Sequence, residues 1–442
     1  MFDLRKYLAT VSKTKDVRII KKRVSTKYEI AAITAKLDGR EALIFQNVEN
    51  TKFSIVSNLV GTRKRFAQAV KSKPEYIHQT IAEAIKKSKK PNITKSGKFM
   101  ENSSRDLSIL PIIKHYEKES GPFITSSIVY AKNPETGEQN SSFHRIMPMN
   151  NKHMTIRMVE DRHLHRCFMY AKKHGEDLRV AITIGVHPAV SIAGAYQEKW
   201  GKDEMGIANS LLGYKLKVAK CPYSGMHVPF DAEIVIEGRI MQDKVHSEWM
   251  VEMLRTYDHK RLQPVIELDR VYFRNNPLFH DILSGYAEHR LLMGMPAESK
   301  LNIMLKKSFS VVRKVSLTDG GSNWMHAVVQ LGRKAKLGEP KKIIKETFKI
   351  HRSLKRVTIV DSDINLDSAV EVEYAIATRF QADKDLVILK NIRGSSLDPS
   401  SNQKTLKTAK IGIDATMPLG KRLDGFELAK IPFIDKVNVT KL

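Results

Sequence analysis

Over the first hundred residues, short apolar runs alternate with charged ones, as in Tyr28-Glu29-Ile30-Ala31-Ala32-Ile33-Thr34 and Ala42-Leu43-Ile44-Phe45. The turn signal Asp38-Gly39 lies between these two runs, so the pattern predicts a hairpin, followed by helices such as Thr80 to Lys87. From Lys89 to Asp106 the chain is polar, with Pro91, Gly97 and several Ser and Asn, and reads as a linker.

From Leu107 the texture changes to strand-like runs at Phe123 to Tyr130, Thr155 to Val159, Val180 to Ile184 and Glu233 to Gly238. Pro134 to Gly137 is a turn after the first of them. A β-rich barrel is expected here, interrupted by one helix from Asp203 to Leu212. Beyond residue 306 the order becomes αβ again. Ile343, Ile344, Phe348 and Ile350 fit one helix face after Pro340, and Val357 to Val360 reads as a strand ending in Asp361 and Asp363. Asp367 to Arg379 suits a second helix and Leu386 to Leu389 a second strand. The expected fold class is α/β plus β-barrel, in three domains: 1–105, 106–305 and 306–442.

A chain of 442 residues is too long for one core, and 42% apolar residues suffice to build more than one. Cys167 and Cys221 are too few for a disulfide framework and form no metal-ligand pair, so they read as small core residues in a reducing interior. The N-terminus is charged from its third residue, and no segment approaches the ~20 apolar residues of a membrane span. A soluble cytoplasmic protein is expected. The net charge of +27 is spread along the chain in short clusters such as Lys86-Lys87-Ser88-Lys89-Lys90, without an RNA-binding signature. It reads as a solvated basic surface that draws in anionic substrates rather than as a nucleic-acid footprint. Gly-rich phosphate loops are absent, and His289 and His326 read as packing or hydrogen-bonding histidines.

Candidate chemistry concentrates in Asn140-Ser141-Ser142-Phe143-His144-Arg145. An amide oxygen is a hard ligand for a divalent cation, and a guanidinium clamps a carboxylate or phosphate. With His163 and Glu204, Asn140 makes an oxygen, nitrogen, oxygen set suited to Mg2+ or Mn2+ rather than structural zinc. The competing reading is a surface His and an acid at a helix start, where the dipole favours it. Glu248 and Glu252, four residues apart, would share one helix face among Trp249, Met250, Val251 and Met253. Two carboxylates in apolar surroundings suit proton transfer, whereas the same spacing also describes an exposed acidic helix turn.

Read together, the segments resemble the UbiD family of prenylated-FMN-dependent decarboxylases, and particularly its archaeal branch acting on trans-anhydromevalonate 5-phosphate. The resemblance rests on Gly121-Pro122-Phe123-Ile124-Thr125, Arg162-His163-Leu164, Ile184-Gly185-Val186-His187-Pro188-Ala189, Glu288-His289-Arg290-Leu291-Leu292-Met293-Gly294 and Gly394-Ser395-Ser396-Leu397-Asp398-Pro399, among other ordered matches. It implies an N-terminal α/β domain, a central split β-barrel like that of flavin reductases, and a C-terminal α/β domain with oligomer contacts. It also implies that Asn140, Ser142, Arg145, His163 and Glu204 surround the phosphate of prenylated FMN and its Mn2+ or Mg2+, with K+ as a further cation. Implied partners are a small carboxylic acid, a flavin prenyltransferase that supplies the cofactor, and further copies of the chain in a dimer or hexamer.

The family usually reads E-G-P-F-x-[DE] where this chain reads Glu248-Trp249-Met250-Val251-Glu252, one residue shorter and without the Gly-Pro turn. A helix in place of a loop is expected there. Counting from Glu237 puts Glu248 on the first acid, and counting back from Thr256-Tyr257-Asp258 puts Glu252 on the second. The resemblance then implies that Arg145 holds the substrate carboxylate, Glu252 protonates the product carbon and Glu248 completes the network. The altered pair also leaves open a non-catalytic paralogue that serves as a partner subunit.

Overall fold

The structure is a computed structural model that describes residues 3–196 and 198–418, with 420, 423–426, 429 and 431–433. It divides into two compact units, residues 1–303 with 322–324, and residues 304–321 with 325–442. The first unit contains a four-stranded sheet in the order Val17–Ile20, Ala42–Phe45, Ser54–Ser57 and Leu278–Asp281. Its last strand arrives more than 200 residues after its neighbour, and Leu43, Phe45 and Ile55 share one core with Val129, Ile182 and Ile236. The core therefore runs straight across the boundary expected at residue 105.

The larger sheet of this unit is antiparallel, in the order Gln139–Phe143, Ile128–Lys132, Leu178–Ile184, Ile234–Glu248, Arg261–Phe273, His153–Ile156 and Ile146–Pro148, with Asn102–Ser104 paired to Arg261–Phe273. Its two ends do not pair among the described residues, so the expected barrel is an open sheet rather than a closed one. The edge strands Gln139–Phe143 and Ile146–Pro148 are consecutive in the chain, which leaves one edge for the other at His144 and Arg145. Backbone bonds from His144 N–H to Ser127 O (3.2 Å) and from Arg157 N–H to Arg145 O (3.2 Å) hold this corner.

Two further expectations are corrected. Residues Glu29–Lys36 form a helix, not the first strand of a hairpin; Ile30 and Thr34, one turn apart, are its buried stripe. The polar stretch from Lys89 to Asp106 is no free linker: Asn92–Thr94 pairs with Lys217–Lys220, and Phe99 is fully buried. The expected strand and helix at 180–184 and 203–212 are present as Leu178–Ile184 and Met205–Leu211.

The second unit carries a five-stranded sheet in the order Val312–Leu317, His326–Leu331, Arg356–Val360, Lys407–Ala415 and Leu386–Arg393. Helix Glu339–Ile350 buries Ile343, Ile344 and Phe348, as its periodicity predicts, and Ala369–Arg379 is the second expected helix. Among the described residues, no helix is long and apolar enough to cross a membrane.

Candidate active site

Alternation along Gln139–Phe143 places Asn140 and Ser142 on the same face, and the Ser142 hydroxyl reaches Asn140 Oδ1 at 3.5 Å. Helix Met205–Leu211 brings Glu204 to its first turn, yet the Glu204 side chain does not cap its own helix. It instead accepts from Asn140 Nδ2 at 3.1 and 3.2 Å and from Ser141 N–H at 2.9 Å. His163 opens helix His163–Lys173, with Nδ1 3.3 Å from Asn140 Nδ2 and 3.9 Å from Glu204 Oε1. Its ring packs edge-on against Trp200 at 5.3 Å.

Glu204 is only 2% exposed. Burial pushes its carboxyl up to about 8, against the pull of the Ser141 N–H. Burial, with Arg166 and Arg162 nearby, pushes His163 below the ordinary imidazole value, which leaves a neutral ring with a lone pair to offer. A buried carboxylate held by amides, beside a neutral imidazole and an amide oxygen, is a donor set that a divalent cation would stabilise. Among the described residues no three His, Cys, Asp or Glu side chains cluster for a metal; here the third donor is an amide. The exposed reading is thereby replaced by a buried Glu204 and a half-buried His163.

At the corner after this strand, Arg145 is 9% exposed in its side chain and meets three carboxylates. Nε donates to Glu248 Oε1 at 2.8 Å, one terminal nitrogen to Glu252, and the other to Asp258 Oδ2 at 3.3 Å. Burial opposes the charge on Arg145, and Glu252 and Glu248 outweigh it, holding its pKa above the ordinary value. Glu248 is buried, and its second oxygen accepts from the Thr155 hydroxyl at 2.6 Å. Asp258 also takes two bonds from Arg261, at 3.0 and 2.9 Å.

The expected helix across this pair is not formed. Glu248 ends the strand Ile234–Glu248, paired to Arg261, and Glu252 sits in the turn that follows. Bonds from Glu252 N–H to Thr256 O across the turn (2.8 Å) and from Asp258 N–H to Met250 O (2.9 Å) close a short hairpin. Met250, Val251 and Met253 are buried as the apolar pattern suggests, but the two acids meet through Arg145 instead of along a helix face. Gly285, at φ +78°, runs beneath the turn, where a Cβ would lie 2.3 Å from Arg255 Cγ.

Asp258, Thr155 and His144 belong to the site and were not singled out in the sequence. His144 bridges Ser142 Oγ (Nε2, 2.8 Å) and the Arg157 carbonyl (Nδ1, 2.7 Å), and burial drives its pKa down to about 4. Its place between Ser142 and Arg145 was the available signal. Asp258 shows as an acid of the site only once Arg261 and Arg145 are brought to it.

The site joins Asn140 and Ser142 of one strand to Glu204 and His163 at two helix starts, with an arginine ringed by acids just past the strand's end; the sequence comparisons give its class, a carboxy-lyase of the UbiD kind. The chain belongs to that family: the model described as the 3-octaprenyl-4-hydroxybenzoate carboxy-lyase Rift-related domain matches residues 85–287, its N-terminal domain residues 8–85 and its C-terminal domain residues 290–415. It is 39% identical over 418 residues to the anhydromevalonate phosphate decarboxylase of Methanocaldococcus jannaschii, covering 94% of this chain and 97% of that protein. The enzyme of the same name from Methanothermobacter thermautotrophicus is 37% identical, over 91% of this chain and 94% of its own. Among solved structures, the UbiD-class enzyme HmfF from Pelotomaculum thermopropionicum, in complex with FMN, superposes with a TM-score of 0.96 at 35% identity over 99% of each chain. An evolved dimeric form of HmfF in complex with prFMN gives 0.93 at 33% identity over 100% of each chain. This chain is a UbiD-type decarboxylase.

Proposed function

We propose that the substrate is an α,β-unsaturated acid carrying a phosphate, of the anhydromevalonate phosphate kind, and that the cofactor is prenylated FMN. The observation that carries this reading is the single guanidinium of Arg145 shared by Glu248, Glu252 and Asp258. The names of the archaeal relatives support the substrate, and the HmfF complex with prFMN supports the cofactor. Asn140, His163 and Glu204 would hold a Mn2+ or Mg2+ at the cofactor phosphate, with Ser142 and Arg145 beside it and K+ as a further cation. A flavin prenyltransferase supplies the cofactor, and the protein works in the cytoplasm as a homo-oligomer, dimer or hexamer, with contacts from its C-terminal domain.

When bound, prenylated FMN supplies the electron sink for the carbon–carbon bond that breaks as CO2 leaves. The protein's own part is orientation and protons. Arg145 has five N–H donors and its acids use three of them, which leaves two for the substrate carboxylate. Arg145 and Arg261 face three carboxylates, so one acid is in excess, and Glu252 in the turn is placed to deliver a proton to the product carbon. Glu248, fixed by Thr155 and its strand, keeps Arg145 in orientation.

The non-catalytic alternative rested on the shortened acid pair, and both acids nevertheless reach Arg145. The test is CO2 release from trans-anhydromevalonate 5-phosphate by protein co-expressed with a flavin prenyltransferase and supplied with Mn2+ and K+. Turnover is the expected result. A cofactor-loaded protein that releases no CO2 from this or other unsaturated acids would overturn the reading.

A further inference from the structure

We propose that the buried row of Glu119, His115 and Asp281 is a positioning device that straps the Glu252 hairpin to the sheet, so that Glu252 keeps its place when substrate competes for Arg145. The proposal rests on the role given to Glu252 above. The hairpin is closed by short backbone bonds across the turn, one isolated bridge, Val251 to Tyr257, and a bond from Trp249 Nε1 to Asp258 O, and its Asp258 end is held by Arg261. At the Glu252 turn the side-chain anchor is the ion pair of Glu252 with Arg145, the contact an incoming carboxylate would share.

Segment 115–120 grips both arms of the hairpin. Ser120 N–H donates to Trp249 O (2.9 Å), Lys118 N–H to the Tyr257 hydroxyl (3.2 Å), and Val251 N–H, next to Glu252, to Glu119 Oε1 (3.4 Å). The other Glu119 oxygen takes the N–H groups of His115 (3.3 Å) and Tyr116 (3.1 Å). Behind it, His115 places Nδ1 3.9 Å from Glu119 and Nε2 2.8 Å from Asp281, and none of the three side chains is exposed. Asp281 ends the strand Leu278–Asp281, so the row crosses from hairpin to sheet. Burial alone would take the proton from His115; Asp281 and Glu119 outweigh it and hold the ring above its ordinary pKa. Burial pushes Glu119 up, and His115 pulls it back. An imidazolium lying between two carboxylates spares each of them a lone buried charge.

The test uses the cofactor-loaded protein and two variants, with amide hydrogen exchange of residues 249–258 read beside kinetics. Glu119→Gln keeps the shape and removes the charge. It is expected to speed exchange in the hairpin about tenfold, and to lower kcat about 10–100-fold with KM within about twofold and cofactor absorbance retained. Tyr257→Phe, at an exposed position that cannot unfold the core, removes only the Lys118 tie; it is expected to speed hairpin exchange about twofold and lower kcat by a similar factor. Wild-type hairpin exchange in either variant overturns the strap. A loosened hairpin with unchanged kcat overturns the positioning role. If no acid is decarboxylated at all, the function proposed above fails, while the exchange arm still decides the strap.

Discussion

The two ends of the run from Asn140 to Arg145 handle charge in opposite ways. At its start, Glu204 is buried against amide N–H groups with a neutral His163 at 3.9 Å, and burial raises its pKa to about 8. At its end, Arg145 is buried with three carboxylates around it. Among the described residues no Lys or Arg pairs with Glu204, whereas the Arg145 site has an acid to spare. The first suits binding a cation with its ligand, the second suits moving a proton, and five residues of one strand and corner separate them.

The largest effect expected from breaking this division is at Glu252. Glu252→Gln should lower decarboxylation by about 10²–10⁴-fold, the range of a lost general acid, in a carbon dioxide release assay. A second effect comes from Glu204 in cofactor-free protein. Its folded pKa of about 8 lies above the ordinary carboxyl value, so the native state holds a proton the unfolded chain has lost. Stability contributed by that proton is full at acid pH and falls as pH rises towards 8, by roughly 1.4 kcal/mol per unit within the window. Burial also raises Asp203 to about 6 and Asp231 to about 7, which act in the same direction, so in urea unfolding from pH 5 to 9 Glu204→Gln should make the fall shallower by about this slope near pH 8. The smallest effect is at Asp258, which sits 3.3 Å from Arg145 and is held twice by Arg261. Asp258→Asn should cost about tenfold in kcat, near 1.4 kcal/mol, in steady-state kinetics.

Much of this was legible in the chain. The runs at 180–184 and 234–238, rich in Val and Ile, are strands as expected, within Leu178–Ile184 and Ile234–Glu248. Asn140, His163 and Glu204 were readable as candidates, and the structure brings them within hydrogen-bond or ion-pair distance. The acid pair was misread because four-residue spacing fits a helix face as well as a strand end and its turn. What decides between them is the pairing of Glu248 with Arg261, which no local pattern announces. The same holds for Asn92–Thr94, a polar strand whose partner lies 125 residues on, at Lys217. Glu29–Lys36 was misread for a local reason, since its Ile and Thr content resembles a strand while its buried positions follow a helix.

The most direct test of the division is cofactor occupancy, measured by ultraviolet-visible spectrum and intact mass, in Glu204→Gln and Glu252→Gln co-expressed with a flavin prenyltransferase. The account predicts that Glu252→Gln retains the cofactor and Glu204→Gln loses it. A cofactor-loaded Glu204→Gln, or an empty Glu252→Gln, would contradict it.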